Sequence, residues 1–219
     1  MYKLPLFPLN TVLFPGMPLT LHIFEERYKQ MIHECIEGDQ SFGVVLLKSG
    51  SEVLNAGAPV VPYEIGCTAQ IAQVQPAGQG RMNIVALGQE RFRIFDLQED
   101  RPYMVGLVEP YPLQNSETDQ LHYAGAHLQI QIMRYLSMLE AMEDVQLEDI
   151  HLPDDPVSLA YFAAFLMKVE SAEKQAILSA EAALDLVTRV NALYRKEIPL
   201  QEMIFRQMKR QSAAPFSLN

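Results

Sequence analysis

Apolar and polar positions along the chain follow two different rhythms. Through residue 108 the apolar residues come in short runs or alternate with polar ones, the period of a strand. Residues 2–9 and 19–24 are short apolar runs bounded by proline, which suits strand starts and sheet edges. Residues 42–48 (FGVVLLK) are almost continuously apolar and predict a strand buried on both faces. Residues 65–74 alternate, with Ile65, Cys67, Ala69 and Ile71 on one face; residues 75–80 read as a turn and 81–87 as the returning strand of a hairpin. Gly88-Gln89 predicts a second tight turn into 91–97, where Phe92, Ile94 and Asp96 share one face and Arg91, Arg93 and Phe95 the other. Residues 103–108 supply one more strand. A single short helix is expected over 25–37, with Gly38 as its C′ glycine.

Beyond a proline-marked boundary at Pro110-Tyr111-Pro112 the period changes to that of a helix. Ser116-Glu117-Thr118-Asp119 has the composition of an N-cap with an acidic first turn, and 117–142 then sets Leu121, Ala124, Leu128, Ile132, Tyr135 and Leu139 on one stripe. Asp155 caps a helix with Pro156 at its first position, and the segment that follows (VSLAYFAAFLMKV) is apolar nearly all round, so it belongs at the centre of a bundle. Residues 171–179 predict a short helix, 181–197 a longer one, and a further helix begins at Pro199. The pattern predicts an α+β chain: a β-rich part over 1–110, then a helical bundle over 116–211. The loops at 49–56, 110–118 and 143–153 are the expected exposed connections.

Composition narrows the function. The chain has 219 residues, enough to bury roughly 70% of its unfolded surface. Its formal charge is −10, divided between 1–108 (8 basic, 11 acidic) and 109–219 (9 basic, 16 acidic). That balance argues against nucleic acid and against an anionic membrane surface, since both need lysine and arginine in excess. No apolar run approaches the ~20 residues that cross a bilayer. The opening Met1-Tyr2-Lys3-Leu4-Pro5 has no continuous apolar core and no small-residue cleavage site, so a cytoplasmic protein without signal peptide is expected. Cys35 and Cys67 lie too far apart in sequence for a zinc knuckle and are too few for a disulfide framework; both read as buried small hydrophobes.

Three stretches, in order, resemble one known family. The first is Leu4-Pro5-Leu6-Phe7-Pro8-Leu9 through Phe14-Pro15-Gly16 to Phe24-Glu25-Glu26-Arg27-Tyr28. The second runs from Glu64-Ile65-Gly66 to Gly88-Gln89-Glu90-Arg91-Phe92, similar to a G-x-x-R-hydrophobic turn. The third joins Asp155-Pro156-Val157-Ser158-Leu159-Ala160 to Lys174-Gln175-Ala176-Ile177-Leu178. Together they resemble the N-terminal, substrate-binding domain of the Lon protease family over about residues 4–198. The resemblance implies a PUA-like β-pseudobarrel followed by a helical bundle. It also implies a stand-alone recognition module, because Lon carries its ATPase and peptidase in later domains.

The residues themselves offer little catalytic chemistry. There is no Gly-x-Ser-x-Gly, and Gly78-Gln79-Gly80-Arg81 lacks the lysine and the length of a phosphate-binding loop. His122 and His127 are five apart on one helix, so they point roughly 140° apart and cannot chelate together. His151 with Asp154 and Asp155 is a loop grouping that helix capping accounts for. Glu25-Glu26-Arg27 reads as a solvated first helical turn. No catalytic residue, metal ligand or cofactor is expected. The stronger signal is large apolar groups on proline-stiffened loops: Phe14 and Met17 in the first, Tyr63 after Val60-Val61-Pro62, with Phe24 and Tyr28 at the passage from strand to helix. Such groups suit capture of unfolded or extended polypeptide, or of a protein partner, by a monomer or weak dimer; they equally suit plugs at the ends of a barrel. A small-molecule binder or hydrolase using the cleft between barrel and bundle is the alternative.

Overall fold

The computed structural model describes residues 1–49, 60–98, 101–115, 118–143 and 150–212. The strands are β1 (Tyr2–Leu9), β2 (Pro18–Ile23), β3 (Phe42–Ser49), β4 (Val61–Pro62), β5 (Ile65–Pro76), β6 (Met82–Gln98) and β7 (Val105–Pro110), with α1 (Glu26–Glu37) between β2 and β3. Then come α2 (Asp119–Glu143), α3 (Pro156–Leu166), α4 (Ser171–Leu178) and α5 (Ala183–Ser212). The fold is α+β, with the strands first and a helical bundle after them.

Hydrogen bonding closes the sheet on itself. Strands β1, β7, β6, β5 and β3 pair in that order, each antiparallel to the next, and β3 returns to β1 in parallel through Leu6↔Gly43 to Leu9↔Leu46. Closure removes most of the free edges that an open sheet of this composition would expose; the last residues of β6 run beyond β5. Strand β2 lies along the first half of β6, and β4 pairs antiparallel with the end of β3 through Leu47↔Pro62 and Ser49↔Val61. The result is a closed β-pseudobarrel. Helix α1 buries Tyr28, Met31, Ile32 and Cys35 against strand residues that include Phe7, Phe42 and Ile84.

Local signals set most boundaries. Asp155 accepts from the Ser158 N–H at 2.7 Å and Pro156 sits in the first turn of α3, as its sequence requires. Thr118 caps α2, its hydroxyl accepting from the Leu121 N–H at 3.1 Å.

Three expectations fail, each for a physical reason. The left-handed residue after α1 is Asp39 (φ 46°), while Gly38 stays helical. The Gln40 N–H reaches Cys35 O at 2.9 Å, so the helix closes in a Schellman motif one residue later than the glycine suggests. Pro199 does not break the last helix: α5 runs through it. Arg134 of α2 binds Glu202 at 2.6 Å on the far side of the proline, so packing carries the helix past one missing hydrogen bond.

Gly88 is the third case. It makes no turn; β6 is one strand of 17 residues. The glycine is there because the loop after β1 lies across it. Gly16 N–H donates to Gly88 O at 2.8 Å and Gly88 N–H donates to Met17 O at 2.9 Å, and a Cβ at Gly88 would stand 2.2 Å from Phe14 O. A bulge follows: pairing jumps from Ala69↔Gly88 to Cys67↔Arg91, and the Glu90 N–H donates to Thr68 Oγ1 at 3.0 Å. There β6 leaves β2 and takes up β7 as its second neighbour.

Barrel and bundle share a core. Val12, Phe14, Leu46 and Ile65 pack into the cluster formed mainly by α2, α3 and α5. Polar contacts lock the same seam. Buried Arg91 of β6 donates through Nη1 to Leu178 O and Ala180 O, both at 2.6 Å, at the end of α4. Buried Gln175 of α4 donates to Ile65 O at 2.9 Å. Replacing Arg91 by Leu strips two buried carbonyls of a charged donor, and is expected to lower unfolding free energy by about 3 kcal/mol in urea titrations. A loss below about 0.5 kcal/mol would show that the seam does not depend on this contact.

Candidate functional site

A cleft opens at this seam because two strands part. The pairing of β5 with β6 ends at Ile65↔Arg93, with one further bond from Ile94 N–H to Glu64 O at 2.8 Å. Strand β6 continues to Gln98 with β7 on its other edge. Residues 61–63 instead follow β3, through Leu47↔Pro62 and the Tyr63 N–H on Leu46 O at 2.8 Å. Between the diverging segments lies a cavity of about 700 Å³, lined by Val61, Tyr63, Phe95 and Leu97 among others, with Ser179 and Glu181 contributing from the α4–α5 turn.

The lining mixes apolar side chains with charges of both signs. Phe95 is 53% and Leu97 37% exposed, unusual for side chains of that size two apart on one strand. Lys48 and Arg93 contribute positive charge; Glu64, Asp96 and Glu181 negative. The Tyr111 ring joins cleft to seam, with the Arg93 guanidinium 4.3 Å and the Arg91 guanidinium 4.9 Å from its centroid. Burial pushes the Arg91 guanidinium below its ordinary pKa. A rigidly framed surface that mixes apolar and polar groups suits a ligand that carries both apolar side chains and main-chain amides.

The five expected contact residues fall in three places. Phe14 is 1% exposed and stacks on Tyr161 of α3 at 5.9 Å between centroids, so in this conformation it is a plug between loop and bundle and offers no surface to a partner. Met17, half-buried, packs on the same cluster. Tyr28 is 5% exposed and stacked on Phe7 at 4.0 Å, filling the barrel side of α1. Phe24, 53% exposed, leans on His22 and shares with Tyr28 a hollow of about 180 Å³. Tyr63 alone of the five lines the large cleft. Sequence reasoning passed over Phe95, Leu97, Arg93 and Tyr111 as contacts. A phenylalanine on the strand face opposite Phe92 and Ile94 was the available signal for Phe95.

Neither cysteine lines the cleft. Burial pushes the Cys35 thiol up to about 11 and the Cys67 thiol up to about 12. His127 bonds Asn191 Oδ1 at 2.9 Å, and Asp155 is occupied in capping α3. Among the described residues no three His, Cys, Asp or Glu side chains are grouped to hold a metal ion. Also among them, no helix is long and apolar enough to cross a membrane.

Fold and cleft define a pseudobarrel–bundle module with a recess of mixed character at its seam. The family model of the ATP-dependent protease La (LON) substrate-binding domain matches residues 3–195, and the chain belongs to that family. It is similar to Lon protease 2 of Myxococcus xanthus (27% identical over 189 residues, 85% of this chain and 22% of the relative). It is equally similar to Lon protease of Trichlorobacter lovleyi (27% over 217 residues, 96% and 26%). The chain thus spans about a quarter of the length of these relatives. Two solved structures share the fold. The crystal structure of a Lon N-terminal domain protein from Xanthomonas campestris has a TM-score of 0.65 at 22% identity, covering 88% of this chain and 98% of that one. The N-terminal domain of Mycobacterium avium complex Lon protease has a TM-score of 0.67 at 17% identity, covering 89% and 98%.

The segments that carry the family resemblance converge on the seam. Phe14 O meets Gly88, Arg91 holds the end of α4, Gln175 bonds Ile65 O, and a Cβ on Gly66 would strike the Phe92 ring at 2.5 Å. Phe14→Ala is therefore expected to cost about 3–5 kcal/mol of stability, as a buried aromatic truncation does. Near-wild-type stability by thermal melting would contradict its placement as a plug.

Proposed function

We propose that this chain is a non-catalytic recognition module that takes extended or unfolded polypeptide in the cleft between β4, β6 and the α4–α5 turn. The observation that carries the reading is the pair of exposed side chains, Phe95 and Leu97, on the wall of a cavity of about 700 Å³. Membership of a substrate-binding family supports it. Tyr63 contacts the ligand; Phe24 and Met17, at opposite ends of β2, offer separate apolar contacts, and Phe14 and Tyr28 support the frame beneath. The segments 1–110 and 116–211 act as the two walls of one site and not as independent binders.

The test uses reduced, carboxymethylated lactalbumin, a permanently unfolded chain, titrated against the protein. Tyr63→Ser with Phe95→Ser is expected to weaken binding about tenfold or more, since few central side chains carry most of an interface. Both side chains are solvent-accessible in part, so the melting temperature should fall by no more than about 4 °C. Unchanged affinity in a folded double variant would contradict the reading. So would casein cleavage or ATP hydrolysis that migrates with the purified protein, which would favour an enzyme at the same cleft.

A further inference from the structure

We propose that the cleft takes its ligand as an added β-strand on the edge of β6 that β5 leaves open. The inference rests on the polypeptide reading above and specifies how the chain is held. The ladder between β5 and β6 ends with Ile94 N–H on Glu64 O, yet β6 keeps its extended backbone through Gln98, held by β7 through Asp96↔Leu107, Leu97↔Gly106 and Gln98↔Val105. Successive amides of a strand point to opposite edges. The register on β7 shifts between Ile94 and Asp96, a bulge at Phe95, and from Asp96 onward alternate main-chain groups face the edge away from β7, where among the described residues no strand pairs with them.

Strand β4 cannot close that gap. It follows β3 away from β6, and its Pro62 has no N–H to donate. An extended peptide that enters beside Glu64 occupies the ladder position that β5 vacates, antiparallel to β6. The side chains match the backbone demand. Phe95 at the bulge and Leu97 beyond it are both exposed at this edge, so apolar residues of an extended ligand pack beside them. A helix would bring no free main-chain donors to this edge, since its own are satisfied within it. The charges at the rim, Lys48, Glu64 and Asp96, are of the kind that keep an open edge from pairing with its own copy.

The test uses the intact chain and a fluorescein-labelled twelve-residue peptide that alternates Leu or Phe with Ser or Lys. Two further versions carry N-methyl groups on the odd or on the even amides of the central six residues. Strand addition predicts that one methylated register loses about tenfold in affinity for each ladder bond removed, while the other binds within about threefold of the parent. It also predicts slower hydrogen exchange at alternate amides within 95–98 in the complex. Equal binding of both methylated peptides, with binding still abolished by Tyr63→Ser and Phe95→Ser, would overturn strand addition and leave the cleft as a side-chain pocket. No binding of any version would overturn both the docking mode and the polypeptide reading.

Discussion

Arg91 is a cation held out of water, and among the described residues no carboxylate forms an ion pair with it. Burial of an unpaired charge is strongly unfavourable, so the position is stable only if the protein supplies other partners. It does so with the carbonyl oxygens of Leu178 and Ala180, where α4 ends. Carbonyls at a helix C-terminus lack intrahelical donors and carry the negative end of the helix dipole. Across the seam the barrel's cation meets the bundle's carbonyls through Nη1, while Nη2 is buried with no hydrogen-bond partner among the described residues. The Gln175 amide repeats the exchange in reverse, a bundle side chain donating to the barrel carbonyl of Ile65.

This constraint fixes what lies around it. Arg91 follows directly on the β6 bulge, which opens because the loop carrying Phe14 to Met17 lies across Gly88. The Phe14 ring then enters the bundle against Tyr161. Past Arg91, the strand continues to Phe95 and Leu97, and the Tyr111 ring touches both Arg91 and Arg93. The residues that hold the halves together are therefore one or two positions from those that line the cleft. A cleft built this way keeps its shape because the fold could not loosen there without exposing a buried guanidinium.

The sequence made the element order legible. Alternation over 65–74, the apolar run at 42–48 and the Asp155-Pro156 cap each name an element that is present, because each depends on chemistry within a few residues. The misreadings come from chemistry that is not local. Gly88-Gln89 has the composition of a turn, and only the Phe14 carbonyl, far away in the chain, explains the glycine. Pro199 carries a breaker's signal, overridden by contacts to α2. Phe14 on a proline-stiffened loop looks the same whether it faces solvent or a helix packs over it. The cleft was the least legible feature, since Lys48, Tyr63, Phe95, Tyr111 and Glu181 come together only when β4 and β6 diverge against the α4–α5 turn.

The central claim is that barrel and bundle are one cooperative unit, joined through the Arg91 seam, and that this unity shapes the cleft. Differential scanning calorimetry of the intact chain tests it directly. The account predicts a single transition whose calorimetric enthalpy equals its van't Hoff enthalpy. Two resolved transitions, with strand and helix signals lost at different temperatures in circular dichroism, would contradict it.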